Sequence, residues 1–156
     1  VLGDFEVVQR GDRWTIVPAA SYGPLRNWQA LGAPFYPWEM KYAKRFKVNG
    51  VAGKSYYVKA DRWTGSLVEV WVNGRKAGIV FAEPYTLDVT PFVRKGKNDV
   101  ELRVVGNMEN LIGPHHVAYD GIVDPNRWNV PQLRKASEYF LTPFGLQEDF
   151  ALVECE

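Results

Sequence analysis

The two histidines of the chain are adjacent, His115 and His116 in GPHH. Around them stand Asn110, Tyr119, Asp120, Arg127 and Trp128, all groups able to bind hydroxyls or move protons. Neighbouring residues on an extended strand point to opposite faces, so the histidine pair is poorly placed to hold one transition metal together. Acid–base hydrolysis would need two carboxylates on either side of one bond, roughly 5–10 Å apart. Glu83, Asp88, Glu109, Asp120, Asp124, Glu148 and Asp149 supply carboxylates, but none stands in a recognisable catalytic motif. Asp88 reads as a turn residue whose side chain accepts backbone N–H groups ahead of Thr90-Pro91. No Gly-x-Ser-x-Gly and no glycine-rich phosphate loop is present. Ser21, Ser55, Ser66 and Ser137 have no histidine or acid at a suggestive spacing. Cys155 is the single cysteine, which excludes an internal disulfide.

Binding of a hydroxyl-rich ligand is better served. A sugar offers C–H faces that stack on aromatic rings, and hydroxyls that want planar polar partners on loops held by a rigid frame. Two segments combine these residue types. NWQALGAPFYPW contributes Trp28, Tyr36 and Trp38. NMENLIGPHHVAYD, followed by NRW, contributes Asn110, His115, His116, Tyr119, Asp120, Arg127 and Trp128. The competing reading is that these aromatics pin long loops to the frame or bury against a neighbouring domain. That reading is preferred for Trp63 and Trp71, which occupy strand positions.

The frame itself is built with a period of two. FEVV (5–8), RWTIV (13–17), MKYAKRFKV (40–48), YYVKA (56–60), DVELRVV (99–105) and EDFALVE (148–154) read as strands. In 40–48, Met40, Tyr42, Lys44, Phe46 and Val48 share one face, while Lys41, Ala43, Arg45 and Lys47 share the other. EVWVNGRKAGIV reads as a hairpin whose Asn73-Gly74 turn is of type I′. Val68, Val70 and Val72 point to the core, and Gly78 marks a bulge or a close backbone approach. Thr90-Pro91 reads as a helix cap with proline in first position, predicting a short helical turn over 91–95 ended by Gly96. Residues 18–39 carry no period and read as a functional or wrapping loop. A weak strand is expected near 117–123 and a helical turn near 132–139. The fold expected from this pattern is all-β, a jelly-roll-like sandwich of two antiparallel sheets.

The order of four blocks resembles a known family. Tyr42 to Val48 reads Y-x-K-x-F-x-V; VEVWVNGRKAG (68–78), PYTLDVT (84–90) and KGKNDVELRV (95–104) follow. Together they are similar to the sugar-binding, galactose-binding-like jelly-roll domain of glycoside hydrolase family 2 and related large bacterial glycosidases. The resemblance runs from 42 to 104, and the tail NLIGPHH…PFGLQEDFAL is similar to the ending of such domains in rhamnosidase-like enzymes. It implies a non-catalytic accessory domain that binds carbohydrate, packs on the catalytic domain of a parent enzyme, or does both. The catalytic carboxylates would lie on a separate barrel, which alone needs ~250 residues. A purely structural packing module is the alternative, and a free-standing glycosidase ranks last. Residues 1–156 are then expected to be one sandwich trimmed from a longer, secreted or periplasmic enzyme. No cofactor is implied beyond a structural calcium, for which Asp4 or Asp149 could serve as loop ligands.

Bulk properties agree. Nineteen Lys and Arg stand against eighteen Asp and Glu, a formal charge of +1, so no nucleic-acid or membrane partner follows from charge. RKGK at 94–97 reads as a solvated turn between strands.

Overall fold

In a computed structural model of the chain, residues 5–18, 25–113 and 141–155 are described. Eleven strands cover most of them. β1 (Phe5–Arg10) and β2 (Arg13–Pro18) form a separate two-stranded ribbon. β3 (Glu39–Val48), β6 (Leu67–Val72), β7 (Arg75–Val80) and β9 (Gly96–Val105) form the main sheet, in the order β3-β9-β6-β7. β4 (Ser55–Lys59), β8 (Thr86–Asp88) and β11 (Ala151–Cys155) form a second sheet, in the order β11-β4-β8. A small ribbon joins β5 (Trp63–Thr64) to β10 (Gly145–Leu146). Every pairing among these strands is antiparallel. The architecture is the expected all-β sandwich. The β5–β10 ribbon, the short β8 and the single-turn helix α1 (Glu109–Ile112) go beyond the sequence reading, because elements this short carry no readable period.

Alternation puts the core between the two larger sheets. In β9, Val100, Leu102 and Val104 are buried, and in β6 so are Val68, Val70 and Val72. Tyr56 and Val58 of β4 meet them from the other sheet, with Leu87 and Leu152 packed against the same cluster. The opposite parity faces outward, with Glu69 and Trp71 of β6 beside Glu101 and Arg103 of β9. Antiparallel sheets with one buried face read in this way.

The hairpin turns as its sequence demands. The φ angles of Asn73 (φ 51) and Gly74 (φ 78) are the two positive values of a type I′ turn. Both readings of Gly78 hold. Val70 pairs with Gly78 and Trp71 with Lys76, so Ala77 is the extra residue of a bulge. A Cβ at Gly78 would come within 3.0 Å of Leu87, so its absence lets β8 approach.

The helical turn is shorter than expected. It is a 3-10 turn over Thr90–Phe92 with Pro91 near its start, and Thr90 is not its cap. The Thr90 hydroxyl is taken by β4, whose Tyr56 N–H it accepts at 2.9 Å. Asp88 does what its position suggested: Oδ1 accepts the Thr90 N–H at 2.9 Å, and hydrogen bonding to Thr90 holds its carboxyl below the usual range.

Asn98 stands at the first end of β9 with its whole side chain satisfied inside the protein. Oδ1 accepts from Asn73 Nδ2 and from the Arg94 N–H, each at 2.9 Å. Nδ2 donates to the Arg94 carbonyl at 2.7 Å and the Gly96 carbonyl at 3.2 Å. Asn73 extends the link to the Phe92 carbonyl at 3.0 Å. One buried amide thus ties the hairpin turn to the 92–96 connection. Replacing Asn98 by Ala orphans these groups at about 1–3 kcal/mol each where they stay buried. An Asn98→Ala variant is expected to lose roughly 2–4 kcal/mol of unfolding free energy. Urea denaturation measures it, and a loss below about 1 kcal/mol would contradict the assignment.

Candidate ligand-binding end of the sandwich

Segment 25–38 closes the other end of β9. Its anchor is Trp28. Asn27 Oδ1 accepts the Ala30 N–H at 2.9 Å, which turns the chain, and Ala33 N–H returns to the Trp28 carbonyl at 2.8 Å. The Trp28 N–H donates to the Phe144 carbonyl at 2.7 Å, and Asn27 bridges to Gly145. The indole is 1% exposed. It packs against Phe144 at 5.6 Å and Tyr36 at 5.7 Å between ring centroids. Two glycines make room for it: a Cβ at Gly106 would lie 2.5 Å from the ring, and one at Gly145 would lie 2.6 Å from it. Trp28 therefore belongs to the core and has no free face for a ligand, which corrects its expected role as a stacking platform. A large ring that lines up with two Cβ-free backbones gains more by burial than by exposure.

Tyr36 and Trp38 fit the expectation of exposed aromatics. Tyr36 stands edge-on to Trp28 and is 38% exposed. Trp38 is 62% exposed, on a backbone held by the Gly106 N–H, which donates to its carbonyl at 2.6 Å. Two rings are thus presented on a loop that is fastened at Trp28 and again at Trp38.

Asn110 is brought to the same end but points inward. It is buried in α1, where Nδ2 donates to the Pro34 carbonyl at 2.8 Å and the Thr142 carbonyl at 2.7 Å. Its Oδ1 accepts the Thr142 N–H at 2.9 Å. Asn110 is a clasp between three segments, not a hydroxyl partner, because a buried amide must spend its bonds internally. Glu109 is engaged beside it, accepting from the Thr142 hydroxyl at 2.8 Å. His115, His116, Tyr119, Asp120, Arg127 and Trp128 lie outside the described residues, as do the strand expected near 117–123 and the turn near 132–139.

Other candidates fall into structural roles. Glu148 pairs with Arg62 at 2.7 Å. Asp149 pairs with Lys44 at 2.6 Å. The same Lys44 ammonium stands 5.3 Å from the Phe46 ring centroid and 5.4 Å from that of Phe150, close enough for both rings to attract the cation. Of the two calcium candidates, Asp149 is thus engaged by a lysine, and Asp4 lies outside the described residues. Among the described residues, no three His, Cys, Asp or Glu side chains gather as a metal site. Trp63 packs edge-on to Tyr85 at 5.7 Å. Trp71 donates to Glu69 at 3.0 Å and lies under the Arg103 guanidinium at 4.1 Å. Sequence reasoning missed Asn98 and the wedge role of Trp28. The available signals were KGKN for the first, and Gly106 and Gly145, isolated glycines next to strand patterns, for the second.

Tyr42 supports this end from β3. Its hydroxyl donates to the Arg26 carbonyl at 2.9 Å and accepts the Leu146 N–H at 3.3 Å. Burial pushes its ionisation up to about 12, against 10.0 ordinarily. The folded state holds this proton more tightly than the unfolded chain, so its contribution is full below about pH 10 and is lost as pH rises through about 12. In an ultraviolet tyrosinate titration, Tyr42→Phe is expected to remove a component near 12, and an unchanged curve would contradict the buried placement. Trp28→Ala is expected to cost about 3–5 kcal/mol in denaturation, as for other fully buried large rings. Trp38→Ala is expected to change stability by no more than about 0.5 kcal/mol, as for an exposed side chain.

Known proteins share this fold. No family model matches the chain. A protein of Formosa agariphila assigned as a beta-glucuronidase is 31% identical over 106 residues, which are 64% of this chain and 9% of that protein. The rhamnosidase of Novosphingobium sp. PP1Y superposes with a TM-score of 0.57 at 26% identity, over 96% of this chain and 14% of the enzyme. The beta-glucuronidase of Bifidobacterium dentium shares the fold, with a TM-score of 0.54 at 18% identity over 97% of this chain and 28% of its own. The chain thus spans a small fraction of each of these proteins. By sequence the chain is similar to a small part of a protein assigned as a beta-glucuronidase, and by fold to a domain-sized part of a rhamnosidase and of a beta-glucuronidase, all of them glycoside hydrolases.

Proposed function

We propose that the chain is a non-catalytic accessory sandwich of a secreted or periplasmic glycoside hydrolase, and that its aromatic end contacts carbohydrate. The observation that carries this reading is Trp38: 62% exposed, on a backbone fastened to the end of β9, with the half-exposed Tyr36 two residues before it. Rigidly mounted exposed rings suit the C–H faces of sugars, since stacking loses little entropy when the platform is already ordered. The likeness to part of a rhamnosidase supports the parent class. The catalytic carboxylates would belong to the remainder of that parent.

A second reading, interdomain packing without sugar, is favoured by a separate observation. Met108, Leu111 and Ile112 are exposed on the segment bonded to Pro34 and Trp38, where Asn107, Glu109 and Asn110 each make at least one side-chain hydrogen bond within the protein. Titration calorimetry of the 156-residue chain against plant and bacterial oligosaccharides separates the two readings. Under the first, Trp38→Ala weakens binding at least about tenfold, about 1.4 kcal/mol, with the melting curve unchanged. Absence of binding to every polysaccharide tried would leave the packing reading alone. Binding that survives loss of both Trp38 and Tyr36 would move the site away from this end.

A further inference from the structure

The RKGK motif (94–97), which reads from sequence as a solvated turn, comes to rest at a charged corner of the main sheet. Arg94 precedes β9 and Lys97 lies at its start, both exposed. Across the ladder, Lys47 of β3 faces Lys97, and Arg45 faces Asp99. Lys47, Lys97, Arg45 and Asp99 all have the outward parity and are exposed. Four cations thus share the corner with one carboxylate, and Arg45 has already closed on Asp99 at 2.6 Å. The hydrogen bond from Arg45, with the charges of Arg94 and Lys97 close by, holds the Asp99 carboxyl below its usual range. The next carboxylate along this face of β9, Glu101, is closed on Arg103. Among the described residues, no carboxylate makes a salt bridge to Lys47, Arg94 or Lys97.

Like charges directly opposite each other in an antiparallel pair are unfavourable, so Lys47 against Lys97 is a local cost to the fold. The backbone that presents these charges is nevertheless fixed. The buried Asn98 holds Arg94 through its N–H and its carbonyl, and Arg94 Nε donates to the Lys97 carbonyl at 3.4 Å. The surplus charge is therefore mounted on ordered backbone, spread over the outward face of a sheet. A compact anion is best held by donors that converge in a concavity. Cations spread along a face suit an extended polyanion, whose charges repeat along its length. Nucleic acid is the poorer match. The formal charge of the whole chain is only +1, and the aromatic ring of this face, Trp71, is already covered by the Arg103 guanidinium, so no stacking platform for bases adjoins the corner.

We infer that Arg45, Lys47, Arg94 and Lys97 bind an acidic polysaccharide through its carboxylate or sulfate groups. The choice of carbohydrate among polyanions rests on the accessory-domain reading proposed above. The contact is separate from the Tyr36 and Trp38 end, which lies at the other end of β9. Eight residues of β3 part Glu39, next to Trp38, from Lys47, roughly 27 Å along an extended strand. One site would then read the charge of a glycan and the other its C–H faces.

Titration of the 156-residue chain with polygalacturonate, dextran sulfate and neutral dextran tests this, at low and at physiological salt. At least one of the two acidic chains is expected to bind about tenfold more tightly than dextran at low salt, and more weakly as salt rises. Binding of polygalacturonate alone would assign the corner to carboxylates, and of dextran sulfate alone to sulfates. The double variant Lys47→Gln, Lys97→Gln is expected to lose about tenfold in that affinity, with a melting temperature no lower than before because a like-charge pair is relieved. The double variant Lys59→Gln, Arg62→Gln removes the same charge from and beside the second sheet and is expected to bind as the parent chain does. An equal loss in both variants would mean diffuse attraction and overturn the inference. Tighter binding of single-stranded DNA than of either acidic polysaccharide, lost in the Lys47 and Lys97 variant, would assign the corner to nucleic acid and overturn it too. Equal binding of acidic and neutral chains, sensitive to Trp38→Ala, would overturn this inference and leave the proposed function standing. Absence of binding to every polysaccharide would overturn both.

Discussion

The indole of Trp28 fills the space between two backbones that have no Cβ, at Gly106 and Gly145, and the candidate binding end hangs from that fit. Through its own peptide group the same residue joins segment 25–38 to the Phe144 carbonyl and, across a turn, to Ala33. Three stretches far apart in the chain thereby meet at one ring. The arrangement has little tolerance. A single methyl on either glycine would have to displace the indole, and protein interiors are packed too densely to absorb such a shift freely. Tyr42, bonded to both Arg26 and Leu146, locks the two outer stretches from the floor below.

β9 explains why the two ends of the sandwich differ. At its start, Asn98 settles the polar groups of the 92–96 connection and receives Asn73 from the hairpin turn. At its end, Gly106 lets Trp28 in and fastens Trp38. Between these points its inward residues line the core, and its outward residues pair with charges of β3 and lie beside β6. One end is sealed by hydrogen bonds around a buried amide. The other is sealed by an aromatic wedge, which leaves Tyr36 and Trp38 standing beyond the wedge with their backbones already ordered.

The residues that look alike in sequence separate by depth. Trp28 and Trp38 both sit in an irregular, Pro- and Gly-rich stretch, and composition ranks them equally. Trp28 goes inside because Gly106 and Gly145 come from distant segments to receive it, and that meeting is long-range information. Asn110 likewise sits in a segment rich in hydroxyl-binding residues, yet its partners are Pro34 and Thr142, which no local pattern links to it. Trp71 is legible as structural because strand alternation, a local property, assigns it, whereas Trp63 lies on the two-residue β5 and meets Tyr85 only through packing.

The frame is dictated locally: an all-β chain, the parity of β3, β6 and β9, the type I′ turn at Asn73-Gly74, the bulge near Gly78 and the role of Asp88. Each follows from interactions between residues close in the chain, where alternation and φ preferences act directly. The resemblance to glycoside hydrolase domains is legible for the same reason, because the sequence blocks it is read from are these local devices. Which polar and aromatic groups remain free is settled only when distant segments pack. A side chain becomes a binding group when its neighbours in space leave its face or its hydrogen bonds unspent. For Trp28, Asn98 and Asn110 those neighbours come from other segments and have already taken them, whereas Trp38 keeps an exposed ring.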